Sequence, residues 1–417
     1  MASGNRILIF LGDGMGGRPV PELGGKTAVE AAQTPVLDRM ARDGATGLLS
    51  PIGRGIAAGS DTAHMAILGY DPFTLYRGRG PFEAKGVGLD VAAGDVAFRC
   101  NFATVDGKRI VDRRAGRIKS GTEALSDAIS EQIPEIDGVR IVFKNSVEHR
   151  AALVLRGEGL DEHVSEVDPH HEEEDYWECK PLPGYEDNEG ARRTADVVNK
   201  FVQRSYEVLS AHPVNVQRAA DGLFPANITL PRGVGTAVEL QAFADRYGLS
   251  GAMIVEVDLV RGLGLYLGMD IIECKGATGG RDTDEMAIAE AVVKAFDTHN
   301  FVLANIKAPD LGGHDSDAPQ KIAAIEKVDR ALGYITQHLD ASNTVIMVAA
   351  DHCTPISVGD HSGDPIPAVF HGCGVTPDDV SDYGERSCAR GSMGHFGGCD
   401  VMNMLGNYAG TSAKFGA

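Results

Sequence analysis

Thr344-Val345-Ile346-Met347-Val348-Ala349, followed at once by Ala350, Asp351 and His352, decides the fold. A short apolar run that stops on two chemically active side chains reads as a buried parallel strand with a functional loop at its carboxyl end. The same grammar occurs twice more. Arg6 to Leu11 runs into Gly12-Asp13-Gly14-Met15-Gly16-Gly17, and Phe301 to Ile306 runs into Pro309-Asp310-Leu311-Gly312-Gly313-His314. Between the last two of these strands, Lys321 to Leu339 carries Ile322, Ile325, Val328, Leu332, Ile335 and Leu339 at helical spacing. Another helix is expected over about Asp284 to Asp297. Strand and helix in alternation imply an α/β fold: a parallel sheet sandwiched by helices.

The middle of the chain reads differently. From about residue 90 to 235 there are short strands (Val96 to Cys100, Ile141 to Phe143, Ala152 to Leu155), acidic loops and one helix, Ala191 to Leu209. Matching strand and loop stretches flank this region. Residues 1–89 and 236–417 are therefore read as one core, and 90–235 as a smaller inserted α/β domain. Asp161 to Asp175, with His163, His170 and His171, reads as a solvated acidic loop, with a weak metal-binding tract as the alternative.

The 417 residues are 43% hydrophobic and carry a net charge of −20. The apolar content excludes general disorder. The charge argues against nucleic acid or anionic membranes as partners. It would also repel an anionic substrate, unless cations or local arginines reverse the sign in a cleft. No apolar run approaches the roughly 20 residues of a membrane helix, and Ile7 to Leu11 is too short for a signal-peptide core. A soluble cytoplasmic protein is expected. The 7 cysteines contain no Cys-x-x-Cys pair, which argues against a disulfide framework or a thiolate zinc site. Nothing in the sequence bears on oligomeric state.

In an open parallel sheet the carboxyl ends of the strands share one edge, where ligands bind. That edge would gather Asp13, Asp310, His314, Asp351, His352 and the following His361. Carboxylates so close repel, so cations are expected among them. The set is large for one open catalytic metal and suits two, about 4 Å apart. Oxygen and nitrogen donors without sulfur fit Mn²⁺, Zn²⁺ or Mg²⁺. Taken singly, Asp13 also reads as a turn aspartate and Asp310 with His314 as a loop pair; it is the set at three strand ends that points to metal.

Gly55-Ile56-Ala57-Ala58-Gly59 leads into Ser60, and Met65-Ala66-Ile67-Leu68 reads as a helix. Ser60 would then stand at a helix N-terminus, where backbone N–H groups favour a phosphate. By itself it reads more simply as a helix cap. Beside two metals it becomes a nucleophile that needs no histidine base, because a metal lowers the hydroxyl pKa. No Ser/Cys-x-Pro-x-Arg motif surrounds it, which argues against a sulfatase. A scaffold protein without catalysis should have lost a ligand or the nucleophile, and all seven positions are filled.

In this order Asp13, Ser60, Asp310-x-x-x-His314, Asp351-His352 and His361 resemble the alkaline phosphatase superfamily. More narrowly, the chain resembles the archaeal-type cofactor-independent phosphoglycerate mutases. Matching stretches run over nearly the whole chain. They include Leu23-Gly24-Gly25-Lys26-Thr27, Gly59 to His64, Gly69-Tyr70-Asp71-Pro72, Gly78-Arg79-Gly80-Pro81, Phe98 to Thr104, Asp112 to Arg117, Glu148-His149-Arg150, His361 to Pro365 and the terminal Lys414 to Ala417.

The resemblance implies an alkaline-phosphatase-like core and two divalent ions, most often Mn²⁺, with no organic cofactor. Asp13, Ser60, Asp351 and His352 would hold one ion; Asp310, His314 and His361 would hold the other. Ser60 would carry a phosphoserine while 3-phosphoglycerate and 2-phosphoglycerate interconvert, and closure of the inserted domain would exclude water. Arg99, Arg113, Arg114, Arg117, His149 and Arg150 would bind the small anionic substrate, about half of them as bystanders. Asp112 would be the general acid/base, and Arg246 a further phosphate contact. Departures from the family pattern occur at Cys353, at Leu263-Gly264-Leu265, near His395 to Gly398 and within Asp310 to His314. They keep open an alternative: a metal-dependent transferase that moves a phosphonoformyl group onto a glycerate-type acceptor, or an ester hydrolase.

Overall fold

Strand Arg6–Gly12 pairs in parallel with both Phe301–Ile306 and Thr344–Ala349, so the three apolar runs lie side by side at the centre of an eight-stranded sheet. Their ends are flush: Leu11 stands opposite Asn305 on one side and Ala349 on the other. The computed structural model describes residues 5–412, together with 414 and 416. Phe415 and Ala417 of the terminal motif lie outside the described residues.

Across the sheet the order is Asp270–Ile271, Gly251–Ile254, Phe301–Ile306, Arg6–Gly12, Thr344–Ala349, Ile366–Gly372, Ala45–Ser50 and Gly394–Gly397. One amendment to a wholly parallel sheet is needed. Ile366–Gly372 runs antiparallel to both of its neighbours. The cause is local. Residues 350–365 contain no helix to carry the chain across the sheet, so the next strand must run back from the edge it starts on. That loop keeps Asp351, His352 and His361 together on the carboxyl edge.

Helix Ala318–His338 starts four residues before Ile322, the first of its apolar stripe. Asp317 caps it by accepting from Gln320 N, and a proline occupies its first turn. Ile325, Val328, Leu332 and Ile335 are buried, each contributing about 1.5–3 kcal/mol of transfer free energy before entropy is counted. Lys321 shares the buried side. The expected helix near residue 284 spans Glu285–Ala295, capped by Asp284.

Contacts divide the chain into Met1–Tyr76 with Leu240–Ala417, and Arg77–Glu239. The second unit thus begins nearer 77 than 90. Helix Gly80–Gly86 belongs to it, since Ala84 packs with Ala97, Ala152 and Val154. Strand Val96–Asp106 organises this unit, pairing antiparallel with Arg109–Asp112, Arg150–Arg156 and Ile228–Thr236. Val139–Asn145 and Glu135–Ile136 extend the sheet. Its core includes Phe102, Phe143 and Phe201, the last from helix Glu189–Ser210. The two ends of the unit touch backbone to backbone. A Cβ on Gly78 would lie 1.9 Å from Val234 O, and one on Gly235 would lie 1.9 Å from Arg77 O, so only glycine fits at either position.

Among the described residues no helix is long and apolar enough to cross a membrane.

Candidate metal centre

Asp13 follows the first central strand and is fully buried. Gly14 then turns with φ +61°. A Cβ there would lie 2.6 Å from Thr354 Oγ1 and 2.7 Å from Asp310 Cβ, so glycine lets the first loop lie against the other two. Gly14 N donates to Asp351 Oδ1 at 3.1 Å. Asp310 and His314 come from the short helix Ala308–His314, four residues apart and hence on one face.

The three imidazoles share one arrangement. Each uses Nδ1 for an outer partner and turns Nε2 inward. His314 Nδ1 donates to Gly359 O at 2.9 Å, and His361 Nδ1 to Ala58 O at 2.8 Å. A carbonyl can only accept, so both rings carry a proton on Nδ1 and turn Nε2 to the cluster. His352 Nδ1 lies 3.1 Å from Thr354 Oγ1, whose own hydrogen goes to Asp310 Oδ1 at 2.6 Å. A proton on Nδ1 follows there too. Outer partners of this kind orient metal-ligating histidines.

Facing inward, His352 Nε2 is 3.5 Å from Asp13, 3.4 Å from Asp351 Oδ2 and 3.3 Å from Ser60 Oγ. His361 Nε2 is 3.6 Å from Asp310 Oδ1, and His314 Nε2 is 3.5 Å from Asp310 Oδ2. The His352 and His361 rings stack with centroids 3.6 Å apart. Asp351 Oδ2 is buried with no hydrogen-bond partner. An orphaned carboxylate oxygen facing an unprotonated ring nitrogen fits a cation between them. Among the described residues, the groups able to hold an ion are Asp13–Asp351–His352, Asp310–His352–His361 and His314–Asp360–His361. His352 therefore stands between the two expected ligand sets, and Asp360 joins them unforeseen.

The electrostatics agree. Burial, and then Asp351, push the Asp13 carboxyl up. Burial also pulls on Asp310, but Lys307 and His361 hold it well below the usual carboxylate range. Burial and then His361 lower His352 to about 3, which keeps its ring neutral, as ligation requires. Lys307 belongs to this cluster, and sequence reasoning missed it. Its ammonium donates to Asp13 Oδ1 at 2.9 Å and Asp310 Oδ2 at 2.7 Å. Helix Ser60–Ile67 has Gly59 as its cap, so Ser60 is the first helical residue rather than the cap. His64, one turn on, accepts no role from its spacing, yet its Nδ1 bonds Ser60 O at 2.7 Å and lies 3.6 Å from Asp351.

The second unit gathers the opposite charge. Burial, then Arg150, Arg99, Arg114 and Arg117, lower His149 to about 2. Nε of Arg99 and of Arg150 and Nδ1 of His149 are buried without hydrogen-bond partners. Arg99 also pairs with Glu83 at 3.2 Å. A cavity of about 460 Å³ is lined by Asp112, Arg113, Arg114, Gly116, Arg117, His170, His171 and Glu172. Asp112 Oδ1 accepts from Arg114 N and Gly116 N at 2.7 and 3.0 Å, shaping the turn that presents these arginines.

Arg113 also lines this cavity, with its fork engaged by Asp168 at 2.8 and 2.6 Å. Two expectations change here. The acidic tract is not simply solvated, because Asp168 within it is fully buried and also reaches Arg232 at 3.5 Å. His163 and His170 are spent on Asp161 and Glu166, and the metal-competent groups of the described residues all lie in the first unit. Arg246 covers the Tyr70 ring at 4.6 Å and donates to Gly69 O at 2.7 Å. Gly69 lies past the far end of helix Ser60–Ile67, roughly 12 Å along the axis from Ser60. Arg246 therefore closes that helix end instead of meeting a phosphate at Ser60. Of the noted departures, Cys353 is buried, with Sγ against Asp364 O at 3.4 Å, and Leu263 is buried.

Fold and site define an α/β enzyme core that collects carboxylates, imidazoles and one serine hydroxyl at a single sheet edge. Comparison with known proteins narrows this. The family model of 2,3-bisphosphoglycerate-independent phosphoglycerate mutase matches residues 41–215, and that of type I phosphodiesterase / nucleotide pyrophosphatase matches 188–362. A 2,3-bisphosphoglycerate-independent phosphoglycerate mutase of Methanopyrus kandleri is 47% identical over 99% of this chain and 98% of its own. One of Methanosphaera stadtmanae is 46% identical over 98% and 99%. The solved cofactor-independent phosphoglycerate mutase of Thermoplasma acidophilum superposes with a TM-score of 0.67 at 36% identity, over 97% of this chain and 100% of that one. A Pyrococcus horikoshii protein gives 0.85 at 35%, over 99% and 100%. The chain belongs to the 2,3-bisphosphoglycerate-independent phosphoglycerate mutase family.

Proposed function

We propose that this protein interconverts 3-phosphoglycerate and 2-phosphoglycerate through a phosphoserine on Ser60, with two divalent ions, Mn²⁺ by preference, at the centre. The observation that carries this is the meeting of Ser60 Oγ with His352 Nε2, 3.3 Å apart, inside the Asp13–Asp351–His352 group. The ions would lower the pKa of the serine hydroxyl and balance the phosphate's charge. Asp13, Ser60, Asp351 and His352 would hold one, and Asp310, His314 and His361 the other.

Charge supports the assignment. Asp13, Asp310 and Asp351 bring −3 and Lys307 brings +1. Two divalent ions turn that −2 into +2, which suits a phosphate dianion. Ser60 Oγ takes the phosphoryl group and gives up its proton, and the glycerate hydroxyl it leaves is reprotonated. The neighbouring hydroxyl of the same glycerate then takes the group back. Atoms are conserved, so the outcome is isomerisation. Arg99, Arg114, Arg117, His149 and Arg150, in residues 77–239, are assigned to the substrate's carboxylate and phosphate, whose planar or tripodal oxygens match guanidinium forks. Asp112 is assigned to moving the hydroxyl protons. Phosphonoformyl transfer draws no support from the relatives.

The test is phosphorus NMR of 3-phosphoglycerate with Mn²⁺-loaded protein. The 2-phosphoglycerate signal should grow, and vanish both with chelator and in Ser60→Ala. Turnover that persists in Ser60→Ala would sink the phosphoserine; an inert 3-phosphoglycerate beside a reacting phosphonoformyl donor would sink the substrate.

A further inference from the structure

Lys321 is fully buried near the start of helix Ala318–His338. Among the described residues no carboxylate pairs with its ammonium; Asp310 and Glu385 act on it only from beyond ion-pair distance. Instead Nζ donates to Gly14 O at 2.8 Å, Gly16 O at 3.0 Å and Thr354 O at 2.6 Å. Three acceptors that cannot donate require three N–H bonds, so the group is the charged ammonium with every hydrogen used. Burying a cation without a counterion is costly, and a well-packed apolar side chain would serve a merely structural role. Rings of backbone carbonyls are instead what proteins offer a small monovalent cation.

The three carbonyls belong to the loops that carry the metal ligands. Gly14 and Gly16 follow Asp13, and Thr354 follows His352. The Thr354 hydroxyl donates to Asp310 Oδ1 at 2.6 Å and stands 3.1 Å from His352 Nδ1. The third loop touches the same lysine. A Cβ on Gly312, between Asp310 and His314, would lie 2.7 Å from Lys321 Cα and N.

We propose that Lys321 is a covalently tethered cation: its ammonium fills a carbonyl cradle that would otherwise need a bound monovalent ion, and so positions the loops of the metal centre. Lys321 is a positioning residue and touches no substrate. Its effect on divalent-ion affinity rests on the dimetal reading above; the cradle itself does not.

The experiment uses Lys321→Ala and Lys321→Met in chloride salts of equal ionic strength: propylammonium, ammonium or tetramethylammonium. Propylammonium replaces the atoms that the alanine variant lacks, whereas tetramethylammonium has no N–H. With chelator present, the melting temperature of Lys321→Ala should rise by roughly 3 °C in propylammonium over tetramethylammonium, while wild type and Lys321→Met should not respond. With Mn²⁺ titrated by calorimetry, Lys321→Ala should bind about 10-fold more weakly than wild type in tetramethylammonium and recover in propylammonium. Equal melting of Lys321→Ala in all salts overturns the proposal, as does wild-type Mn²⁺ affinity in tetramethylammonium. If Lys321→Ala folds only in propylammonium or ammonium, that dependence supports it; if it folds in none, Lys321→Met must bind Mn²⁺ about 10-fold more weakly in every salt, and wild-type affinity there overturns it. Failure of wild type to bind Mn²⁺ would sink the dimetal reading and leave the melting result decisive for the cradle.

Discussion

In the first unit Asp13, Asp310 and Asp351 crowd around one ammonium, Lys307. In the second, Arg113 and Arg232 crowd around one carboxylate, Asp168, and Arg99, Arg114, Arg117 and Arg150 act together on His149. Within each cluster the opposite charge is in the minority: Lys307 in the first, Asp168 and Glu83 in the second. The acidic one lacks positive charge, which the proposed cations would supply; the basic one lacks negative charge, which an anionic substrate would supply. A chain of net charge −20 thus keeps a local excess of positive charge within residues 77–239.

The comparison can be broken most forcefully at the acidic cluster. Asp351→Asn removes the oxygen with no protein partner, and mutase turnover should fall by about 10³- to 10⁴-fold, or ~4–5.5 kcal/mol, with circular dichroism unchanged. Turnover within tenfold of wild type would remove Asp351 from the ligands. At the basic cluster Asp168→Ala strips the buried countercharge, and urea unfolding should show a loss of about 3–5 kcal/mol. A loss under 1 kcal/mol would mean that these arginines need no internal anion.

Lys307→Met sharpens the contrast. Metal-free protein should lose about 2–3 kcal/mol, and saturating Mn²⁺ should restore most of it. A thermal shift by Mn²⁺ no larger than in wild type would show that ammonium and metal do not share the work. His149 gives the pH dependence. Its folded pKa is about 2, below the ordinary 6.5. Between those values the unfolded chain binds a proton that the folded chain refuses, so stability is whole above pH 6.5 and declines as pH falls. His149→Gln should flatten that limb, with a difference of about 2 kcal/mol by pH 5. Parallel curves of melting temperature against pH would refute it. Smallest is Arg246→Ala: about 1 kcal/mol of stability from its ring contacts, with KM for 3-phosphoglycerate within twofold. A tenfold rise in KM would return Arg246 to the substrate.

The three central strands, and the meeting of carboxylates and imidazoles at their ends, were legible because an apolar run ending on Asp or His has few other readings. The helix of residues 318–338 was legible from its stripe. What stayed hidden were charges placed where pattern says solvent. Lys321 opens an amphipathic helix, and nothing local marks it as facing inward. Lys307 stands three residues before Asp310 and looks like any loop lysine, because its partners come from Asp13 as well as its own turn. Asp168 sat inside an acidic run, whose composition speaks for the run and not for one member. Arg246 was given a phosphate contact on slight grounds, and its guanidinium lies over the Tyr70 and Tyr247 rings. The reversed strand Ile366–Gly372 was likewise invisible, since its direction depends on the missing crossover helix and not on its own residues.

Gly78 and Gly235 lie where the chain leaves for the second unit and where it returns, with Val96 opposite Thr236 just beyond. An insertion whose two ends meet so closely costs its host almost nothing in chain geometry: the gap left on removal is one that a tight turn could bridge. Residues 77–239 are in that sense a module that recombination could exchange whole. A host with an unchanged set of strand-end ligands could then acquire a different partner for the group it transfers.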